Sequence, residues 1–262
     1  MKRGFQVARL ITGLTPKREQ ALQERMYLQL SRRYEGLFRR EIARAMRAIA
    51  RSDKDAVIIH ERRIGDLLTR LYTQSYKMFG QRLLNNIVKH CQANEIKKDV
   101  PNTPQFNLAR QLWIKTQSAL KVTLIAGTTE SQALTIIREA LDDSIEEGLS
   151  EIQTGQLIQS RINNAGGELS RLRGRMIART ESHGSSNAST QLAAKSTRLP
   201  LKKEWIASPT ERTRMTHLVA NGQKVEIDNP FVVGDDLLMQ PGDTSGSAKE
   251  IINCRCAAGY SL

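Results

Sequence analysis

Residues 16–50 read PKREQALQERMYLQLSRRYEGLFRREIARAMRAIA, and this stretch decides the fold class. Leu22, Met26, Leu30, Leu37, Phe38, Met46 and Ile49 recur mostly at three- to four-residue steps, between basic intervals that include Arg39, Arg40, Arg44 and Arg47. That period predicts one long amphipathic helix from Pro16 to about Ala50, apolar on one face and arginine-rich on the other.

Working outward, the chain breaks around Ser52 to Asp55. A second apolar stripe then runs through Ile64, Leu67, Leu68, Leu71, Phe79, Leu83, Ile87 and Val88. The two helices are expected to pair as an antiparallel hairpin. Val100-Pro101-Asn102-Thr103-Pro104 carries two prolines, which disfavour helix on both sides, and reads as a loop that could act as a hinge. Leu108, Leu112, Trp113, Leu120 and Leu124 predict a third helix, and Leu134, Ile137, Leu141 and Ile145 a fourth that stops at Gly148. Two more follow, Glu151 to Asn163 and Glu168 to Ala194, separated by Asn163-Asn164-Ala165-Gly166-Gly167.

The pattern changes at Leu199-Pro200. Lys203 to Ala207, Lys224 to Ile227 and Ile251 to Cys256 read as short strands between turn formers such as Asn221-Gly222, Asp228-Asn229-Pro230 and Pro241-Gly242-Asp243. Asn221-Gly222 is read as a type I′ hairpin turn. The expectation is therefore a mainly α protein, with a basic helical domain over 1–198 and a small α+β domain over 199–262.

The net charge is +13 and the isoelectric point about 10.0. Residues 1–100 hold 22 basic and 10 acidic side chains, residues 101–170 hold 5 and 8, and residues 171–262 hold 13 and 9. The excess thus lies in the N-terminal block, and it is mainly arginine, whose guanidinium pairs bidentately with phosphate. Arg32, Arg33, Arg39, Arg40, Arg44, Arg47, Arg51, Arg62 and Arg63 are the candidate DNA-binding residues. Aromatic residues make up 5% of the chain, too few to interleave with the basic ones as a single-strand stacking platform, so duplex phosphate contact is the better form of the hypothesis. The competing readings are a solvated helix face and a surface for an acidic protein partner.

The three cysteines, Cys91, Cys254 and Cys256, cannot build a disulfide framework and fit a reducing cytoplasm. No apolar run approaches the roughly 20 residues needed to cross a bilayer, so no membrane association is expected. There is no Walker A loop, no Gly-x-Gly-x-x-Gly and no His-Glu-x-x-His helix, which leaves nucleotide-driven work and ordinary metalloprotease chemistry without support.

The last third contains an ordered set of short motifs: Arg179-Thr180-Glu181, Trp205, Arg214-x-x-His217, Asn221-Gly222, Phe231, Pro241-Gly242-Asp243, and Glu250-x-x-Asn253-Cys254-Arg255-Cys256. In this order, over about residues 130–258, they resemble the phage Mu F-like head morphogenesis family. The resemblance implies a minor head protein at a few copies per virion, placed inside the head near the portal. It would act in head assembly or in the fate of the packaged DNA, with portal protein and major capsid protein as partners, first in the host cytoplasm and then in the virion. The basic N-terminal block lies outside the resemblance, and its DNA reading stands on charge alone.

Several residues admit two readings. His217, Cys254 and Cys256 could ligate zinc if a carboxylate such as Asp243 completed the set, yet a Cys-x-Cys pair on a strand also points both thiols into a core, and the usual Cys-x-x-Cys spacing is missing. Buried structural thiols around a satisfied histidine are the favoured reading, so no cofactor is expected. Arg179 and Glu181 suit a buried ion pair or a phosphate site. Trp205 and Phe231 read as core aromatics. The rival to a structural role is a head-carried DNA- or nucleotide-modifying enzyme or toxin using Glu181, His217 and the Cys254/Cys256 pair.

Overall fold

The computed structural model describes residues 10–96 and 103–262. It is mainly helical. The helices are α1 (Pro16–Ala50), α2 (Lys54–Ser75), α3 (Gln81–Ala93), α4 (Thr103–Glu146) and α5 (Glu151–Ser196), with a wide π turn, Tyr76–Gly80, between α2 and α3. After α5 come β1 (Lys202–Ile206), α6 (Met215–Ala220), β2 (Lys224–Glu226), β3 (Phe231–Val233), β4 (Asp236–Leu238), α7 (Ala248–Ile251) and β5 (Ala257–Ser261). Most of the expected proline loop, Val100 to Asn102, lies outside the described residues, while Thr103 and Pro104 already belong to α4.

The chain forms two compact units, each built from separate segments. An arginine-rich unit takes Ser31–Leu71 and Ile114–Ala178. Its helical hairpin turns at Ser52 (φ 53°), and the Asp53 carboxylate caps the N–H of Ala56 as α2 starts. Tyr34, Phe38, Ile42 and Met46 of α1 are buried, as are Ile64, Leu67, Leu68 and Leu71 of α2.

The two helices expected between Leu108 and Ile145 are one. Around Gly127 the Thr128 and Thr129 hydroxyls donate back to the carbonyls of Leu124 and Ile125, keeping local polar groups satisfied along a continuous helix. The helix ends as its sequence predicts, with Gly148 at φ 65° and the Leu149 N–H reaching back to Ser144 O.

The break expected at Asn163–Gly167 is also absent. A glycine in a helix costs about 1 kcal/mol relative to alanine, but packing on both sides carries α5 through. Ile162 and Ser170 are buried, and a Cβ at Gly166 would stand 3.4 Å from the Met46 sulfur. The requirement is sharper at Gly174, whose Cβ would meet the Arg39 backbone nitrogen at 2.8 Å. Glycine there permits close approach of α1 and α5 and does not mark a helix end.

The second unit holds the described chain up to Leu30, then Tyr72–Trp113 and Arg179–Leu262. In its antiparallel sheet, of order β2-β1-β5, Lys203 pairs with Val225 on one side and Tyr260 on the other. β3 and β4 form a separate hairpin. The N–H of Ile11 donates to Tyr260 O, so the start of the described chain lies along β5. Gln20 and Gln23 of α1 donate to the carbonyls of Arg255 and Ala258.

Behind the sheet, α5 presents Ser182 to Thr190 as a buried run of small polar residues. The hydroxyls of Ser185, Ser186, Ser189 and Thr190 donate to carbonyls three residues earlier. The wide turn ends at Gly80, where a Cβ would come within 2.7 Å of the Phe106 ring.

Two local expectations change here. Ile251 to Cys256 is the end of α7 followed by a loop in which Asn253 is left-handed (φ 56°), and the strand comes after it, at Ala257–Ser261. Asn221-Gly222 is not a type I′ turn. Asn221 sits at φ −60°, ψ 129° and Gly222 at φ 79°, with the Gln223 N–H on Ala220 O, the pattern of a type II turn that takes α6 into β2.

Candidate functional site

α6 and the loop after α7 converge on His217. Arg214 stands at the N-cap of α6, and its guanidinium donates to Ile252 O at 2.6 Å, while the Asn253 N–H donates to the Thr180 hydroxyl of α5. These bonds fix the 252–256 loop so that both thiols of Cys254 and Cys256 turn to the imidazole. Nδ1 of His217 lies 3.3 Å from the Cys256 sulfur and 3.7 Å from that of Cys254, and Nε2 lies 3.0 Å from Oε2 of Glu250. The same Glu250 oxygen accepts from the Thr216 hydroxyl at 2.9 Å. His217 is 1% exposed, each thiol 2% and Glu250 3%.

The hydrogen bond from Cys254, reinforced by His217, pulls the Cys256 thiol down to about 5 against the opposing effect of burial. Burial pushes Cys254 well up.

The aromatic core backs the cluster. The Trp205 ring meets His217 edge-on at 5.5 Å and Phe231 at 5.4 Å between centroids. Trp205, Phe231, Val233, Leu238, Cys254 and Cys256 form one buried cluster, as expected of core aromatics. In front lies a cavity of about 240 Å³, lined by the histidine, both cysteines and a set of arginines: Arg179, Arg212, Arg214 and Arg255.

The motif residues are thus divided by role. Arg179, Arg214, His217, Cys254, Arg255 and Cys256 surround the cavity, Trp205 and Phe231 support it from behind, and Gly222 forms the type II turn. The Arg255 carbonyl and side chain also face α1, the former through Gln20 and the latter 4.0 Å from Glu24. Glu181 does not line the cavity; its carboxylate accepts from the Tyr72 hydroxyl at 2.6 Å. Asp243, considered above as a fourth ligand, is not in the cluster, because its two oxygens accept the N–H groups of Met239 and Ser245 and shape a turn.

Sequence reading left two residues without a role. Glu250 is quoted in the motif, but its pairing with His217 across 33 positions depends on the tertiary fold. Lys203 is buried, donates from Nζ to Met239 O at 2.7 Å and lies 5.1 Å over the Phe231 ring; burial brings its ammonium down to about 8. The alternation of β1, which turns Lys203 and Trp205 to the same face, carries that signal.

The candidate DNA residues all fall in the arginine-rich unit. Arg32, Arg33, Arg39, Arg40, Arg44, Arg51, Arg62 and Arg63 are exposed, and Arg47 is half-buried. At 100° per residue, Arg33, Arg40, Arg44 and Arg47 fall within roughly 60° of one another on α1, away from Tyr34, Phe38 and Ile42. Glu41 is ion-paired with Arg44 and lies 3.9 Å from Arg63, so two of the nine are partly neutralised. No helix among the described residues is long and apolar enough to cross a membrane.

The family model described as Phage Mu protein F like protein matches residues 135–259. This region is of the Mu F-like family, close to the bounds of the motif resemblance. The chain is also similar to the NAD(+)--arginine ADP-ribosyltransferase EFV of Enterococcus faecalis (strain ATCC 700802 / V583), at 35% identity over 83 residues, which cover 30% of this chain and 17% of that protein. The chain therefore spans under a fifth of the length of that relative. No solved structure matches it.

Proposed function

We propose that this chain is a minor structural protein of a tailed-phage head, acting in head morphogenesis or DNA delivery, with its arginine-rich unit against packaged duplex DNA. The family of residues 135–259 points to phage head morphogenesis. The observation that carries the finer reading is the exposed arginine face of α1, continued by Arg62 and Arg63 of α2. Cations spaced along a helix neutralise backbone phosphates and read no base edges, so binding is non-specific and strongly salt-dependent. Portal and major capsid proteins are the expected docking partners of the Mu F-like region, inside the assembling head and then the virion. This reading assigns no catalytic step to the chain.

Titration of a labelled duplex with the purified protein at several salt concentrations tests the DNA contact. Affinity that falls steeply with salt and ignores base sequence supports it. Salt-independent or absent binding overturns it in favour of an acidic protein partner.

A second reading, an enzyme carried in the head, has one specific observation in its favour: His217 contacts Glu250 through one ring nitrogen and Cys256 through the other, and His217 and Cys256 border a cavity. The partial similarity to a transferase fits it too, although that protein's activity belongs to a chain of which only 17% is matched. A turnover lost in Cys256→Ser while the fold is retained would establish it.

A further inference from the structure

The geometry points to His217, Cys254 and Cys256 as ligands of one tetrahedral, thiophilic divalent cation of the zinc class, with Glu250 orienting the histidine and the fourth position facing the arginine-lined cavity. This goes beyond the head-protein reading and does not depend on it.

Three observations carry it. The first is spacing. A zinc ion about 2.3 Å from sulfur and 2.0–2.1 Å from nitrogen sets ligand-to-ligand edges of roughly 3.5–3.8 Å. The observed nitrogen-to-sulfur separations, 3.3 and 3.7 Å, are of that size, and all three ligand atoms lie within 4.8 Å of one another.

The second is the other ring nitrogen. A histidine that ligates through one nitrogen characteristically donates the opposite N–H to a carboxylate, which fixes its tautomer and raises its basicity. Nε2 is in that position, 3.0 Å from a buried Glu250 that Thr216 also holds. With that hydrogen on Nε2, a neutral ring aims its Nδ1 lone pair at the two sulfurs. Packing alone needs no buried carboxylate behind the imidazole. Gly234 makes room for the arrangement: it sits at φ 61°, and a Cβ there would stand 3.0 Å from Thr216 Cγ2 and 3.3 Å from Glu250 Oε1.

The third is preorganisation. The left-handed Asn253, the Arg214 bond to Ile252 O and the Thr180 bond to the Asn253 N–H hold the loop with both thiols on one side. The Cys-x-Cys spacing thus serves here in a loop, where the strand expected from sequence would have offered a different geometry. All three ligands line the cavity, so the fourth position is open to water or to an anion held by Arg179, Arg214 and Arg255.

The test uses the full reduced chain. After purification and dialysis its metal content is measured, and cobalt(II) is then added to the metal-stripped protein. The expected result is one zinc per chain, and a cobalt spectrum with the intense d–d bands of tetrahedral coordination and a thiolate charge-transfer band. The charge-transfer band weakens in Cys254→Ser and Cys256→Ser. Glu250→Gln keeps the tetrahedral spectrum but binds 10–100-fold more weakly, as loss of an orienting partner predicts. Should the cysteine variants fail to fold, the wild-type cobalt spectrum and the Glu250→Gln affinity still decide. A folded wild type with far less than one metal per chain and no thiolate–cobalt band overturns the proposal.

Discussion

The Tyr72 hydroxyl and the Glu181 carboxylate meet at 2.6 Å in the interior, joining the end of α2 to α5 across 109 positions of sequence. A buried carboxylate needs donors, and removing one leaves a desolvation penalty only partly met. Tyr72→Phe keeps the ring and its edge contact with Trp113, 5.1 Å between centroids, so the lost hydroxyl is isolated. Chemical denaturation should show a loss of about 1.5–3 kcal/mol, the range for hydrogen bonds to charged groups. A neutral result would show that other partners of Glu181 suffice.

Two glycines of α5 should respond in opposite directions to alanine. Nothing lies within 4 Å of a Cβ at Gly167, so Gly167→Ala gains helix propensity and stabilises by about 0.5–1 kcal/mol. At Gly174 the added carbon would strike the Arg39 backbone at 2.8 and 2.9 Å, and Gly174→Ala should cost about 1–3 kcal/mol despite the better propensity. Equal shifts in the two melting temperatures would refute the close helix approach.

Trp205 is fully buried between His217 and Phe231. Trp205→Ala should destabilise its unit by about 3–5 kcal/mol. A cost under about 1 kcal/mol in urea unfolding would reopen a binding role for the ring.

His183 of α5 is buried, lies 2.7 Å from Cys256 O and has its ring drawn down to about 4 by burial. An unfolded histidine titrates near 6.5, so between about 6.5 and 4 the unfolded chain takes up a proton that the folded one refuses. Stability should therefore fall as pH drops through that window, by up to about 3 kcal/mol. His60 is also lowered by burial and adds a slope of its own, so the informative comparison is with His183→Gln. If the variant keeps the full acid slope, His183 is not its source.

Replacing Arg39, Arg40, Arg44 and Arg47 by Gln removes up to four phosphate contacts while leaving helix propensity almost unchanged. The slope of log affinity against log salt should fall by up to about 0.9 per contact, roughly 3–4 in all. Anisotropy of a labelled duplex measures it. An unchanged slope with the fold intact would show that these arginines face protein.

The sequence made α1 legible to the residue because its burial repeats at the helical period, from Tyr34 through Phe38 and Ile42. It misled at Gly166-Gly167, since a glycine that admits the Met46 sulfur is written the same way as one that ends a helix. It misled again at Ile251 to Cys256, where apolar residues suggest a strand but a left-handed Asn253 and a carbonyl held by Arg214 impose a loop. β5, Ala257–Ser261, went unread because Ala-Ala-Gly carries no β-branched pattern; its pairing with β1 makes it a strand. The motif residues around the cavity were visible one by one. Their assembly was not, because Glu250 reaches His217, and Thr180 reaches Asn253, only after the chain has folded.

The bonds from Ile11 to Tyr260, Gln20 to the Arg255 carbonyl and Gln23 to the Ala258 carbonyl have a consequence for the order of events during synthesis. The first turns of α1 emerge from the ribosome long before the strand they serve. At about 5–20 residues per second, the roughly 235 positions between them correspond to some ten to fifty seconds of waiting. During that interval the half of α1 beyond Leu30 has its own partners within the nascent chain, whereas Tyr27 and Leu30 lack the residues of 179–262 that complete their unit. Those early apolar side chains stay without the full set of their native neighbours until β5 is complete.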